Sequence, residues 1–85
     1  MTGNFKINNN DHRFELELEG GTAFADYKRD GDTLYINYVE SPVALRGTGA
    51  AGSLMQEILN ISKAENLKIV PICGYAASWL KRHNK

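Results

Sequence analysis

The stretch Ser41-Pro42-Val43-Ala44-Leu45-Arg46-Gly47-Thr48-Gly49-Ala50-Ala51-Gly52 divides two hydrophobic rhythms. Upstream the period is two: Phe14, Leu16 and Leu18 alternate with Glu15, Glu17 and Glu19, as in a strand with one face in a core and one in water. Downstream, Ala51, Leu54, Met55, Ile58 and Leu59 recur at three- and four-residue spacing, while Gln56, Glu57 and Lys63 lie off that stripe. This predicts a helix from about Ala50 to Glu65. The glycine-rich stretch therefore carries the chain from a strand into an amphipathic helix, and the fold is read outward from it.

Behind it lies a meander. Gly20-Gly21 turns the chain into Thr22 to Arg29, where Ala23, Ala25 and Tyr27 alternate with Phe24, Asp26 and Lys28. Asp30-Gly31-Asp32 has the chemistry of a tight hairpin and leads into Thr33 to Glu40. There Leu34, Ile36 and Tyr38 form one alternating set and Tyr35, Asn37 and Val39 the other. A short extra strand is expected near Phe5 to Asn8. Beyond the helix, Leu67 to Cys73 is an almost continuous apolar run suited to an inner strand. Strand, helix and strand in that order imply a right-handed crossover, with the run parallel to Thr33 to Glu40. Tyr75 to His83 reads as a short helix with Ala76, Trp79 and Leu80 on its core side. The expected class is α+β (α/β-like): an antiparallel meander, a parallel strand-helix-strand crossover and a short C-terminal helix.

The 85 residues are read as one domain, 1–85, too small to bury much more than roughly 60% of the surface its unfolded chain exposes. Hydrophobic residues at 42% and charged residues at 24% suit a globular chain rather than a disordered one. Ten basic residues balance ten acidic ones, and Glu15, Glu17 and Glu19 line one strand, so nucleic acid and anionic membranes are not expected partners. Cys73 is the only cysteine, which excludes an intrachain disulfide and a multi-cysteine zinc site. His12 and His83 are far apart without supporting ligands, so no metal site is expected. The first ten residues lack the apolar run of a signal peptide, and no segment approaches a membrane span. A cytoplasmic monomer is the expectation.

The loop's chemistry suits phosphate. The first amides of a helix have no partner within it, and the macrodipole places about half a positive charge there. Gly47 and Gly49 allow close backbone approach, and Arg46 can add charge-assisted hydrogen bonds. A loop that merely turns tightly uses glycine in the same way. Two other phosphate motifs fit worse. A P-loop requires lysine and then serine or threonine after its last glycine, where Ala50-Ala51 stands here. A dinucleotide fold places its glycine turn after the first strand of a parallel sheet, not after a meander.

Arg46-Gly47-Thr48-Gly49-Ala50-Ala51 resembles the signature of the GNAT acetyltransferases: arginine or glutamine, two residues, glycine, one residue, glycine or alanine. Glu40, Pro42, Leu45 to Gly47, the helix, Lys68 to Pro71, Cys73, Tyr75 and Arg82-His83 are similar to a very small subfamily of about ninety residues. The likeness runs from Phe14 onward. It implies a GNAT-like core in which Arg46, Gly47, Thr48, Gly49, Ala50, Ala51 and Gly52 bind the pyrophosphate of acetyl-CoA. It further implies a pantetheine arm between the two parallel strands. The implied activity is direct acetyl transfer to an amine, whether a small molecule, a lysine side chain or an N-terminus. The rival from another class is a non-catalytic module that holds coenzyme A or an acyl-CoA.

Acetyl transfer needs a proton acceptor for the amine, an oriented thioester and a proton source for the departing thiolate. Glu40, at the end of its strand, is the candidate acceptor, read against a merely solvated glutamate. Similar subfamily members often carry histidine two positions earlier, where this chain has Tyr38, a weaker base. Tyr75 stands near where GNAT relatives place a tyrosine that protonates the thiolate; the competing reading is packing. Cys73 is either a transient acyl acceptor or, the preferred reading, a small buried hydrophobe. Lys81 and Arg82 read as solvated rather than as phosphate ligands.

Overall fold

The structure, a computed structural model, describes residues 4–45 and 49–83. Five strands form one sheet in the order β1-β2-β3-β4-β5: β1 (Asn4–Asn8), β2 (Arg13–Leu18), β3 (Gly21–Asp30), β4 (Thr33–Glu40) and β5 (Lys68–Pro71). The first four pair antiparallel and β5 pairs parallel to β4. Helix α1 (Ala50–Ala64) makes the crossover, and α2 (Gly74–His83) follows β5. The class is the α+β arrangement expected.

Local chemistry explains the turns. Gly20 and Gly21, at φ 100° and 151°, take positive values that close β2 onto β3. Gly31 at φ 60° stands first in the two-residue connection between β3 and β4.

The core lies between one face of the sheet and both helices. Phe14, Leu16, Ala23, Ala25, Leu34 and Ile36 come from the strands, and Ala50, Leu54, Met55, Ile58, Leu59, Ala76, Trp79 and Leu80 from the helices. Ala23 and Ala25 let α1 approach the middle of the sheet, and Phe14 stacks on Tyr27 with centroids 4.3 Å apart. Burial at about 25 cal/mol per Å² of apolar surface is the main term holding α1 to the strands. On α1 the stripe begins with Ala50, which is buried, rather than Ala51, which is half-buried. Ser62 is also buried and donates to the Leu59 carbonyl at 2.8 Å, so it costs little inside the core.

Two expectations about the strands are corrected. The alternation of β4 breaks at Asn37: Asp26 pairs with Tyr38, yet Tyr27 pairs with Ile36, leaving Asn37 as an extra residue in a bulge. Leu34 and Ile36 keep the core face, Val39 takes it beyond the bulge, and Tyr38 is turned to the opposite face, where it is 46% exposed. The other correction is that β5 is an edge strand, not an inner one. Its apolar run is explained by Ile69 beneath the helices and by the packing of Leu67 and Cys73 just outside the strand. Lys68 and Ile72 direct their amides to β4, to the Asp32 and Ile36 carbonyls, so the alternate position Pro71 faces outward and presents no donor there.

Candidate functional site

Two features meet at one end of the sheet. The β4–β5 ladder stops at Ile36 and Pro71, although β4 runs four residues further, to Glu40. The Ile36 carbonyl accepts from the amides of Ile72 at 2.9 Å and Cys73 at 3.0 Å, after which the chain turns into α2. Past that point the bulge at Asn37 re-aims β4, which continues to Glu40 without β5 as a neighbour.

The head of α1 follows the end of β4 and the connection after it. Gly49 is its N-cap, in the left-handed region at φ 85°, and the first helical bond is from the Ser53 amide to the Gly49 carbonyl at 2.9 Å. The amides of residues 50–52 are thus outside the helical ladder. A glycine cap has no side chain of its own to bond them. A Cβ at Gly49 would meet nothing within 4 Å, so there is open space beside the cap. Gly52 faces α2: a Cβ there would lie 3.4 Å from Trp79 Nε1 and 3.9 Å from the Tyr75 hydroxyl. Arg46, Gly47 and Thr48, the centre of the expected pyrophosphate loop, lie outside the described residues.

Tyr75 reaches the first turn of α1 from the first turn of α2 and is 39% exposed, so its ring is not a core element. Burial raises its hydroxyl above the ordinary tyrosine value of 10.0; nearby Arg82 lowers it and Cys73 raises it further. The phenol is protonated at neutral pH, as any ordinary tyrosine is. Cys73 is half-buried against the core and its carbonyl accepts from Ala77 at 3.0 Å, opening α2. Lys81, Arg82 and His83 occupy the exposed last turn of α2, with His83 stacked on Trp79 at 4.3 Å.

Glu40 lies on the sheet face away from the helices, paired across from Phe24, and accepts a hydrogen bond from the Tyr38 hydroxyl. That contact and the Phe24 ring beside Tyr38 are elements that strand alternation alone did not reveal, because the bulge reverses Tyr38's direction. Glu40 thus stands on the open sheet face, whereas Tyr75 lies on the helical side beside Gly52. Two grooves lie elsewhere. One of about 530 Å³, between the C-terminal half of α1 and α2, includes Leu59, Lys63, Ile69 and Leu80. One of about 220 Å³ lies by Phe14, Tyr27 and Ile61. Among the described residues no His, Cys, Asp and Glu are grouped as a metal site, and no helix is long and apolar enough to cross a membrane.

A β4 end without a β5 partner and a glycine-capped helix are the two features this end of the fold presents. A sequence model of the family described as GCN5-related N-acetyl-transferase matches residues 13–85, and the chain belongs to that family. Its function is accordingly of the acyltransferase type, in a family that generally uses acetyl-CoA. Among curated proteins, none matches the chain.

Proposed function

We propose that the chain is an acetyl-CoA-dependent N-acetyltransferase that passes the acetyl group directly to an amine. The observation that supports this most is the end of the β4–β5 ladder at Ile36 and Pro71, beside the head of α1, in a member of this family. The described residues fit the coenzyme: open space stands at Gly49, and the amides of residues 50–52 offer donors to a diphosphate. Arg46, Gly47 and Thr48 would complete that cradle, and the pantetheine arm would lie along β4 beyond the end of its pairing with β5. When bound, the coenzyme supplies an activated acetyl thioester.

The chain's own groups then manage protons. Glu40 accepts the amine's proton, directly or through water, with its carboxylate oriented by Tyr38. Tyr75, kept protonated, donates to the departing sulfur. Cys73 packs and caps α2 rather than carrying the acyl group. The acceptor is an amine of a small molecule or a protein, reached from the open sheet face.

The test is a titration with acetyl-CoA followed by an amine panel. Ligand at a hundredfold excess over its Kd stabilises the fold by about 2.7 kcal/mol, which a thermal melt detects. Acetylation above background that falls in Glu40→Gln supports the enzyme. Stabilisation without turnover on small amines, polyamines or peptides replaces it with a module that only holds coenzyme A. No shift in Tm removes both.

A further inference from the structure

The face of the sheet away from the helices carries a connected series of side chains that ends at Glu40. Arg13 on β2 donates from Nε to Asp26 Oδ1 at 2.8 Å, its cross-strand partner on β3. Its guanidinium carbon lies 4.3 Å from the centroid of the Phe24 ring, two residues back on the same face. Phe24 in turn neighbours Tyr38, with centroids 6.1 Å apart at an interplanar angle of 52°. The Tyr38 hydroxyl donates to Glu40 Oε1.

This series is poorly placed to stabilise the fold. The Arg13 and Asp26 side chains are 35% and 36% exposed, and ion pairs open to solvent in this way add little to stability. It is well placed to fix direction. Tyr38 stands just past the Asn37 bulge, where β4 has lost β5 as a neighbour, so the ladder on that side no longer constrains it. A ring clamped from one side by a guanidinium gives Tyr38 a wall to rest on, and its hydroxyl then reaches one carboxylate oxygen.

We propose that Arg13 and Phe24 are positioning residues for acetyl transfer: Arg13 fixes the Phe24 ring, which fixes Tyr38, which orients Glu40. This rests on the reading of Glu40 as the group that takes the amine's proton. It adds two residues on β2 and β3 that touch neither the acetyl donor nor the reacting atoms.

The test is a double-mutant cycle read by turnover, with Tm and aromatic NMR beside it. Arg13→Met lowers kcat on the order of tenfold, leaves KM for acetyl-CoA unchanged and barely moves Tm; misplacement of a reacting group has that signature. Phe24→Leu behaves likewise, and Phe24→Tyr restores activity because a ring is restored. In a Tyr38→Phe background, where no hydroxyl remains to be aimed, Arg13→Met costs nothing further. In the unliganded protein, Arg13→Met averages the Tyr38 ring signals over rotamers. An Arg13→Met loss of the same size in both backgrounds, a loss that tracks Tm, or unaltered Tyr38 signals overturns the proposal. Glu40→Gln separates the two claims: full activity there removes the proton-acceptor reading and this proposal with it. An inactive Glu40→Gln with an additive cycle removes this proposal alone.

Discussion

The carbonyl oxygen of Ile36 receives the amides of both Ile72, at 2.9 Å, and Cys73, at 3.0 Å, and is the last main-chain link between the parallel strands. The Ile36 side chain is fully buried beneath the helices, so one residue anchors the core and carries the last link between the strands. Ile36→Ala is expected to cost about 2–5 kcal/mol and Ile36→Val about 0.5–1.5 kcal/mol in denaturant unfolding. An alanine variant of unchanged stability would mean that this side chain does not anchor the core.

Gly49 tests conformation rather than crowding. A Cβ there touches nothing, so Gly49→Ala loses roughly 1–2 kcal/mol only through its left-handed backbone. Gly49→Asn, which tolerates that region, is expected to lose less. Gly49→Val adds branching beside the cap and should abolish acetyl-CoA binding in a protein that still melts cooperatively. Unchanged affinity counts against phosphate binding at this helix.

Gly52 should separate stability from binding. Its would-be Cβ sits at ordinary contact distance from Trp79 and Tyr75, and alanine is about 1 kcal/mol better than glycine within a helix. Gly52→Ala is therefore expected to raise Tm slightly. The added methyl lies beside the Tyr75 hydroxyl at the first turn of α1, so under the proposed function acetyl-CoA affinity should fall in the same variant. A rise in both quantities contradicts the placement of the ligand here.

Tyr75 gives a pH-dependent signal with a defined sign. Its folded value is raised above 10.0, mainly by burial, so the native state keeps the proton longer than the unfolded chain does. Stability from this group is complete below pH 10 and is lost as pH climbs through the raised value. Tyr75→Phe should lose less stability than wild type over that alkaline window, in melts recorded from pH 9 to 11, values chosen to lie roughly one unit either side of an ordinary tyrosine. At neutral pH the same variant should lower kcat by about 10²-fold with acetyl-CoA affinity intact if the phenol protonates the thiolate. Equal alkaline losses in the two proteins would sink the burial argument.

Much of this architecture was legible because period two and period 3.6 change over within one short segment. Phe14, Leu16, Leu54, Ile58 and Trp79 all sit where their spacing places them. Tyr38 did not, since a bulge is one inserted residue and leaves every side chain's identity unchanged while reversing its direction. Leu67 to Cys73 misled for a different reason: hydrophobicity reports burial on faces, whereas edge position depends on what pairs with the strand's outer side. Of the candidate site, the sequence singled out Glu40, Tyr75 and the glycines as expectations. It was silent on the approach of Tyr75 to Gly52 and on the series from Arg13 to Tyr38, because those depend on neighbours brought together by cross-strand register and helix packing.

The parallel pairing of Leu34 with Ile69 has a kinetic corollary. Each hairpin of the meander closes over a short loop, but β5 can dock only after α1 has formed and folded back, and long loop closure slows a step. Under the proposed function the acetyl donor's slot is bounded by that late strand, so a chain emerging from synthesis would complete its four antiparallel strands before it could seat a thioester.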